Sequence, residues 1–167
     1  MQDFTLAVLV QNKFGVLNRV TSLFRRRRFN IASLTVSETE SPDYSRITVS
    51  STGEDVMKNQ LMDQLYKLSE VVSITELDSE TISCELLLIK MRNTPETRED
   101  IRAAAEAFGA LTVDYTRDAM MFRVTDDSHR IDRFIELMRD YTILEICRTG
   151  IVALERGSKT IIQNDMK

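Results

Sequence analysis

The chain has few of the residue types that most often hold metals or carry catalysis. Its 167 residues include one histidine, His129, two cysteines, Cys84 and Cys147, and no tryptophan. The two cysteines form no CxxC pair and no other metal-ligand spacing, and there is no second histidine for a metal site. Both cysteines lie in apolar, strand-like stretches. We therefore expect buried free thiols in a reducing, cytoplasmic setting, and no metal.

Other absences exclude further classes of protein. No stretch approaches the roughly 18 consecutive apolar residues of a membrane helix, and no basic stretch followed by an apolar one predicts a secretory signal. The formal net charge of −4 predicts no general affinity for nucleic acid or anionic membranes. The run from Arg25 to Arg28 invites a nucleic-acid interpretation, but four cations at a helix C-terminus are explained more simply by the helix dipole.

No motif for a catalytic site is present. The sequence contains no P-loop, no Rossmann glycine pattern and no nucleophile elbow. His129, flanked by Asp126, Asp127 and Arg130, could be a base with a carboxylate partner. The simpler interpretation is an exposed residue in the first turn of a helix. We therefore predict no catalytic residues and no cofactor.

The first thirty residues combine two periodicities around a short loop. In residues 4–10 the larger apolar side chains Phe4, Leu6, Val8 and Val10 recur at every second position, which predicts a half-buried strand with these side chains on one face. An amphipathic helical stripe follows, formed by Val16, Leu17, Val20, Leu23 and Phe24. Residues 12–15 are therefore a tight strand-to-helix loop. Gly15 either only permits the turn, or lets a carboxylate or phosphate approach the free amides of the helix N-terminus.

The rest of the chain completes this unit and then repeats its order of elements. Further strands are predicted at 30–37, 45–51 and 71–77, with a helix carrying Met57, Leu61, Leu65 and Leu68. This is the βαββαβ order of a ferredoxin-like fold. After a polar linker at 78–81, strands at 85–91, 111–116, 119–124 and 143–154 and two more helices repeat it. Gly150 is a candidate interruption of the last strand, between 143–147 and 151–154. We predict an α+β protein with two ferredoxin-like domains in tandem, at 1–77 and 82–157. Residues 158–167 form a tail that we expect to fray.

Several motifs then resemble a known family. A strand is followed by Asn12-x-x-Gly15-Val16-Leu17-x-Arg19-Val20, by a helix ending Leu-Phe-x-x-Arg, and by the stretch Phe-Asn-Ile-x-Ser-Leu-Thr-Val at 29–36. This arrangement resembles an ACT domain and, more narrowly, that of the regulatory (small) subunits of acetolactate synthase. Weaker matches at 45–49, 64–68, 85–90 and 148–154 extend the resemblance over residues 4–157.

The resemblance implies a non-catalytic regulatory subunit that forms a homodimer. Such subunits activate the catalytic subunit of acetolactate synthase, a thiamine-diphosphate enzyme of branched-chain amino-acid biosynthesis, and make it sensitive to allosteric feedback inhibition by valine or a related branched-chain amino acid. The effector is expected between two ACT domains. The amides of Gly15 and Val16 would meet its carboxylate, and Asn12 lies on the same loop. Asn30 and Ile31 of the neighbouring protomer would complete the site.

One residue departs from the family pattern, and two other classes of protein compete with the resemblance. Arg28 stands where the family usually has a glycine in the left-handed conformation, at a cost on the order of 1 kcal/mol if that conformation is kept. The spacing from Gln11 to Arg19 is superficially similar to the phosphate loop of acylphosphatases, but their typical ending is absent. Nucleic-acid binding through the sheet would need aromatic residues on it, and Ile47 and Val49 stand in the third strand instead.

Overall fold

The fold contains the βαββαβ order twice, as predicted. The structure is a computed structural model that describes residues 2–78 and 80–162. Its elements are β1 (Gln2–Gln11), α1 (Val16–Arg26), β2 (Ile31–Glu38), β3 (Tyr44–Gly53), α2 (Asp55–Leu65), β4 (Val71–Leu77), β5 (Thr81–Arg92), α3 (Arg98–Ala107), β6 (Leu111–Tyr115), β7 (Ala119–Asp126), α4 (Ser128–Met138), β8 (Ile143–Arg148) and β9 (Val152–Glu155). In the described part of the chain, no helix is long and apolar enough to cross a membrane.

The first unit is an antiparallel sheet with two helices against one face. Its strand order is β2-β3-β1-β4, so β2 and β4 are the edges. The alternation in β1 places every second side chain in a core with both helices. This core contains Phe4, Leu6, Val8, Val10, Val20, Phe24, Ile47, Val49, Leu61 and Leu65. Two predicted stripe residues, Leu17 and Met57, are instead 40% exposed, because each lies at the margin of its helix's apolar face.

The opposite face of this sheet is also covered, by the end of the described chain: Ala7 and Leu9 are buried there, so the prediction of a half-buried β1 is wrong. The first compact unit includes residues up to Ser83 and the described residues from Ile151 onward, and the second is Cys84–Gly150. Ile161 is buried against Ala7 and Leu9, and its carbonyl accepts a hydrogen bond from Ser73 Oγ at 2.6 Å. The expectation of fraying beyond Gly157 is therefore wrong as far as Ile161. Residues 163–167 of the predicted tail, and Ser79 of the predicted linker, lie outside the described residues.

The second unit repeats the first topology, with strand order β6-β7-β5-β8 and a core between the sheet and α3 and α4. Gly150, with φ of 81°, lies between β8 and β9, where the sequence predicts an interruption. Cys84 is half-buried and Cys147 is exposed, so the expectation of two buried thiols is wrong. Cys147 lies on the edge strand β8, opposite Leu88 on the sheet face away from the helices.

A buried ion pair joins the two strands at the start of this sheet. Glu85 is only 3% exposed. Arg148 binds its carboxylate with both prongs, Nε to Oε1 at 2.7 Å and Nη2 to Oε2 at 2.8 Å, and its Nη1 donates to Asp132 Oδ1 at 2.7 Å. Burial alone would raise the pKa of the Glu85 carboxyl, but the hydrogen bonds and charge of Arg148 lower it.

Helix α1 ends in a Schellman motif at the position that departs from the family pattern. The Phe29 amide donates to the Phe24 carbonyl at 2.9 Å, and the Arg28 amide donates to the Arg25 carbonyl at 3.1 Å. The Phe24 and Phe29 rings pack edge to face, 6.3 Å apart. This motif requires a left-handed residue, and Arg28 has φ of 60°. The departure therefore keeps the left-handed conformation, and the loop does not take another shape.

We expect Arg28→Gly to stabilise the protein by about 0.5 to 1 kcal/mol. The left-handed conformation costs a non-glycine residue about 1–2 kcal/mol, and part of the gain is offset by the greater entropy of glycine in the unfolded chain. Arg27→Gly is the matched control, because it removes the same charge at φ of −91°. It should lower the free energy of unfolding slightly. Urea denaturation of both variants is the measurement, and equal effects would contradict the argument.

Candidate functional site

The loop between β1 and α1 presents an uncapped helix N-terminus. Gly15 occupies the N-cap position with φ of 82°, no side chain caps the first turn, and that turn contains no acidic residue. The positive end of the helix dipole is therefore uncompensated by the chain itself, which favours an anion there. Among the described residues, the chain neighbours of Gly15 aside, no heavy atom lies within 4 Å of the place that a Cβ on Gly15 would occupy. The glycine is therefore required by its backbone angle and leaves open space in front of the helix.

Of the predicted binding residue Val16, only the backbone amide is available to a ligand. Its side chain is 3% exposed and belongs to the core, so it cannot form a wall of a ligand site. Its amide makes one long hydrogen bond, 3.3 Å, to the Lys13 carbonyl. Such a bond is weak, and an anion could compete for this donor.

Asn12 is exposed and held in place by three hydrogen bonds. Its amide donates to the Asp43 carbonyl at 2.7 Å. Its side-chain nitrogen donates to Glu38 Oε1 and to the Pro42 carbonyl, both at 3.0 Å. The carboxamide oxygen is the acceptor that remains on this side chain, and an ammonium group could donate to it. Sequence reasoning missed Glu38, because 26 residues separate it from Asn12.

Asn30 and Ile31 lie at the far end of the same sheet. Asn30 is exposed, and its carbonyl accepts a hydrogen bond from Ser51 Oγ at 2.8 Å. Ile31 begins the edge strand β2 and pairs with Ser51, which in turn pairs with Phe4.

The strand register separates these two residues from the loop within one chain. Glu38, the last residue of β2, pairs with Ser45, which pairs with Val10 beside the loop. Ile31 is level with Phe4, six residues earlier on β1. At a rise of about 3.4 Å per residue, the two ends are roughly 20 Å apart. One chain therefore brings together Asn12, Gly15 and Val16, but not Asn30 and Ile31.

Two exposed apolar side chains border the loop. Phe14 is fully exposed and Leu17 is 40% exposed. Sequence reasoning did not assign Phe14 to the site, although its place beside Gly15 in the loop was a usable signal. Leu34 of β2 is half-buried and packs against the core of the first unit.

Other residues bear on the competing interpretations. Arg19, the candidate phosphate ligand of an acylphosphatase-like loop, forms an ion pair with Glu70 at 2.7 Å. His129 is exposed in the first turn of α4, as the simpler interpretation predicts. Within residues 2–78 and 80–162, no group of three or more His, Cys, Asp or Glu side chains could hold a metal ion.

Comparisons with known proteins cover both halves of the chain. Residues 6–73 match the model of the "AHAS small subunit-like ACT domain" family, and residues 84–157 match that of "Small subunit of acetolactate synthase". The chain is 46% identical to the probable acetolactate synthase small subunit of Archaeoglobus fulgidus, over 93% of this chain and 98% of that one. It is 42% identical to the acetolactate synthase small subunit of Bacillus subtilis, over 92% and 91% of the two chains.

A solved structure supports the same likeness in three dimensions. The crystal structure of the acetolactate synthase small subunit from Thermotoga maritima superposes with a TM-score of 0.86 at 36% identity. The match covers 95% of this chain and all of that one. Both the order of elements and the fold of the two units therefore agree with a solved relative over nearly the whole length.

Proposed function

The chain belongs to the family of acetolactate synthase small subunits, and from that premise we propose that it activates the catalytic subunit and confers feedback inhibition by valine or a related branched-chain amino acid. In this proposal the chain carries no catalytic residue of its own and binds no cofactor. Its partners are the thiamine-diphosphate-dependent catalytic subunit, a second copy of itself and the effector, in the cytoplasm. The proposal places effector binding in the first domain, residues 1–77.

The observation that carries the effector proposal is the strand register. A free amino acid needs amide donors, acceptors for its ammonium group and an apolar wall, and one chain places its candidate groups at opposite ends of a sheet. β2 is an edge strand, and its unpaired backbone groups are a template for a second chain. Antiparallel pairing of two β2 strands about their midpoint would bring Ile31 of one protomer beside the partner's Glu38. Because Glu38 also binds Asn12, this dimer would bring the loop of Gly15 in one protomer close to the Asn30–Ile31 end of β2 in the other.

Each part of a branched-chain amino acid then has a matching group. The carboxylate meets the Gly15 and Val16 amides at the uncapped start of α1. The ammonium donates to the Asn12 carboxamide oxygen. The branched side chain packs against Leu17 and against the partner's Ile31. Feedback follows if the effector binds more tightly to the dimer in its inhibited arrangement with the catalytic subunit, since a ligand shifts an equilibrium only by its differential affinity.

Reconstitution with the cognate catalytic subunit tests the regulatory role. The isolated chain should form no acetolactate from pyruvate. Added to the catalytic subunit, it should raise turnover saturably, and valine should lower the raised rate towards that of the catalytic subunit alone. Appreciable product from the isolated chain, or a catalytic subunit indifferent to its addition, would overturn the proposal.

Cysteine cross-linking tests the proposed pairing of β2. In the centred register, Ala32 lies directly opposite the partner's Ser37, and both side chains are exposed. Directly opposed residues have Cβ atoms about 4.5–5.5 Å apart, within reach of a slightly adjusted disulfide. The double variant Ala32→Cys/Ser37→Cys should therefore become a covalent dimer under mild oxidation.

The two single variants are the matched controls. In the same register, Ala32 of the two protomers lie about five residues apart along the strands, roughly 17 Å, so a single cysteine should not cross-link. Non-reducing electrophoresis measures the dimer, in a background where Cys84 and Cys147 are replaced by serine. A double variant that stays monomeric while folded, or single variants that cross-link equally well, would show that the register is different.

A further inference from the structure

A cavity lies on the face of the first sheet opposite α1 and α2. Its volume is about 530 Å³, within the range of small-molecule sites. Leu9 and Tyr44 of β1 and β3 line it, residues 37–40 at the end of β2 form one side, and residues from Leu154 to Ile162 close over it. All of these residues belong to the first unit.

The guanidinium group of Arg46 lies in the wall of this cavity, and only part of its hydrogen-bonding capacity is used. Its Nη2 donates to the Ala153 carbonyl at 2.8 Å. Its Nε is buried and has no hydrogen-bond partner among the described residues. Burial lowers the pKa of Arg46, and the nearby Glu155 carboxylate raises it. A buried donor without an acceptor is costly, and the guanidinium fork is shaped to bind carboxylates.

The charged side chains that line the cavity indicate which kind of ligand could bind to Arg46. Arg46 and Lys159 are cationic, whereas Glu38, Glu40 and Glu155 are anionic. Three acids against two bases oppose a simple anion such as inorganic phosphate. A molecule that carries both a carboxylate and an ammonium group matches both signs.

The remaining surface favours an apolar body on that molecule. Leu9, Tyr44 and Ile161 line the cavity, and Leu9 and Ile161 belong to one buried cluster. A zwitterion with an aliphatic side chain would set its carboxylate towards Arg46, its ammonium towards the glutamates and its hydrocarbon against this cluster.

We propose that this cavity is a second ligand site, specific for a zwitterionic α-amino acid with an apolar side chain and anchored by Arg46. It lies away from the amides of the β1–α1 loop, shares with that loop only Glu38, which also binds Asn12, and does not require dimer formation. Its ligand lies under residues 154–162, so binding also holds that segment against the sheet.

Methyl NMR of the full-length protein can test the proposal, because both sites carry methyl groups. Leu9 and Ile161 report on the cavity, and Leu17 reports on the effector loop. The probes are L-leucine, 4-methylpentanoate, which lacks the ammonium group, and 3-methylbutylamine, which lacks the carboxylate. Leucine should shift the Leu9 and Ile161 methyls saturably. Each of the other two probes should bind there at least about tenfold more weakly, since each loses one charge-assisted contact.

Arg46→Gln should weaken leucine binding at the cavity about tenfold or more and leave the Leu17 response unchanged, while Arg46→Lys, which keeps the charge, should lose less. Absence of any leucine-induced shift at Leu9 and Ile161, equal shifts from all three probes, or wild-type binding by Arg46→Gln would each overturn the proposal. If the variants fail to fold, the comparison of probes on the unaltered protein decides alone. A leucine response at Leu17 without one at Ile161 refutes the cavity site and leaves the effector site standing. A response at Ile161 without one at Leu17 supports the cavity site and counts against the effector site.

Discussion

Gly15→Asp is expected to remove most of the response to the feedback amino acid while activation of the catalytic subunit persists. The new carboxylate would compete for the amides at the start of α1 and would place a like charge near the effector's carboxylate. At about 4 Å two unit charges interact by roughly 1–4 kcal/mol, depending on solvent exposure. This corresponds to roughly a 5- to 1000-fold loss of affinity. Aspartate tolerates the left-handed region better than most residues, and the space in front of Gly15 is open, so the fold should survive at a cost of about 1–2 kcal/mol.

Gly15→Asn separates the charge from the shape of the substitution. Asparagine has nearly the same size, and both residues tolerate the left-handed region better than most, so both variants carry a similar strain at φ of 82°. The difference between their valine-inhibition curves is therefore the electrostatic contribution. Both curves should be measured on the reconstituted enzyme, beside curves of rate against subunit concentration. Wild-type inhibition in a folded Gly15→Asp variant would mean that the loop is only a turn and that the effector lies elsewhere.

Arg148→Met is expected to have the largest effect on the stability of the second unit. The substitution removes the guanidinium group that binds Glu85. The Glu85 carboxylate, whose side chain is only 4% exposed, would then be left without its cation. Breaking a buried pair in this way costs about 3–5 kcal/mol. We expect the lower end, because the Arg148 side chain is one-third exposed and water can replace part of its interaction. Hydrogen exchange of the Leu87 and Ile89 amides, in the core of this unit, measures the loss.

Two matched variants show whether the buried charge is the cause. Arg139→Met removes the cation of an exposed pair with Glu136 and should cost well under 1 kcal/mol. Adding Glu85→Gln to Arg148→Met should recover a large part of the stability, because a buried amide costs less than a buried carboxylate. No recovery would mean that Arg148 acts through packing.

The same pair predicts a pH dependence with a defined sign. The pKa of Glu85 is lower in the folded protein than in the unfolded chain. Its contribution is therefore fully present above the unfolded value of about 4.3, and it is lost as the pH falls through the lower folded value. The acid loss of protection at Leu87 should be smaller in Arg148→Met, which has already lost the pair.

Local patterns in the sequence determined the elements and the class of fold. Alternation over residues 4–10 and the helical stripe from Val16 to Phe24 depend only on neighbours within a turn or a pleat, and both elements are where the patterns predict. The left-handed position at Arg28 is expected only from the family resemblance, which leaves open whether an arginine keeps it, and the cap hydrogen bonds show that it does. Local chemistry also places Gly15 at a helix N-terminus, but it leaves open whether the glycine only permits the turn.

The tertiary structure alone decided what these elements bring together. Strand register places Ile31 roughly 20 Å from the loop of Gly15, and no local pattern contains that distance. The bond from Asn12 to Glu38, the burial of Ile161 on the first sheet and the pair of Glu85 with Arg148 each join residues 26 to 154 positions apart. Side-chain periodicity fixes which face a residue occupies, but the partner on that face is set by packing of the whole unit, so these contacts could not be inferred from the sequence.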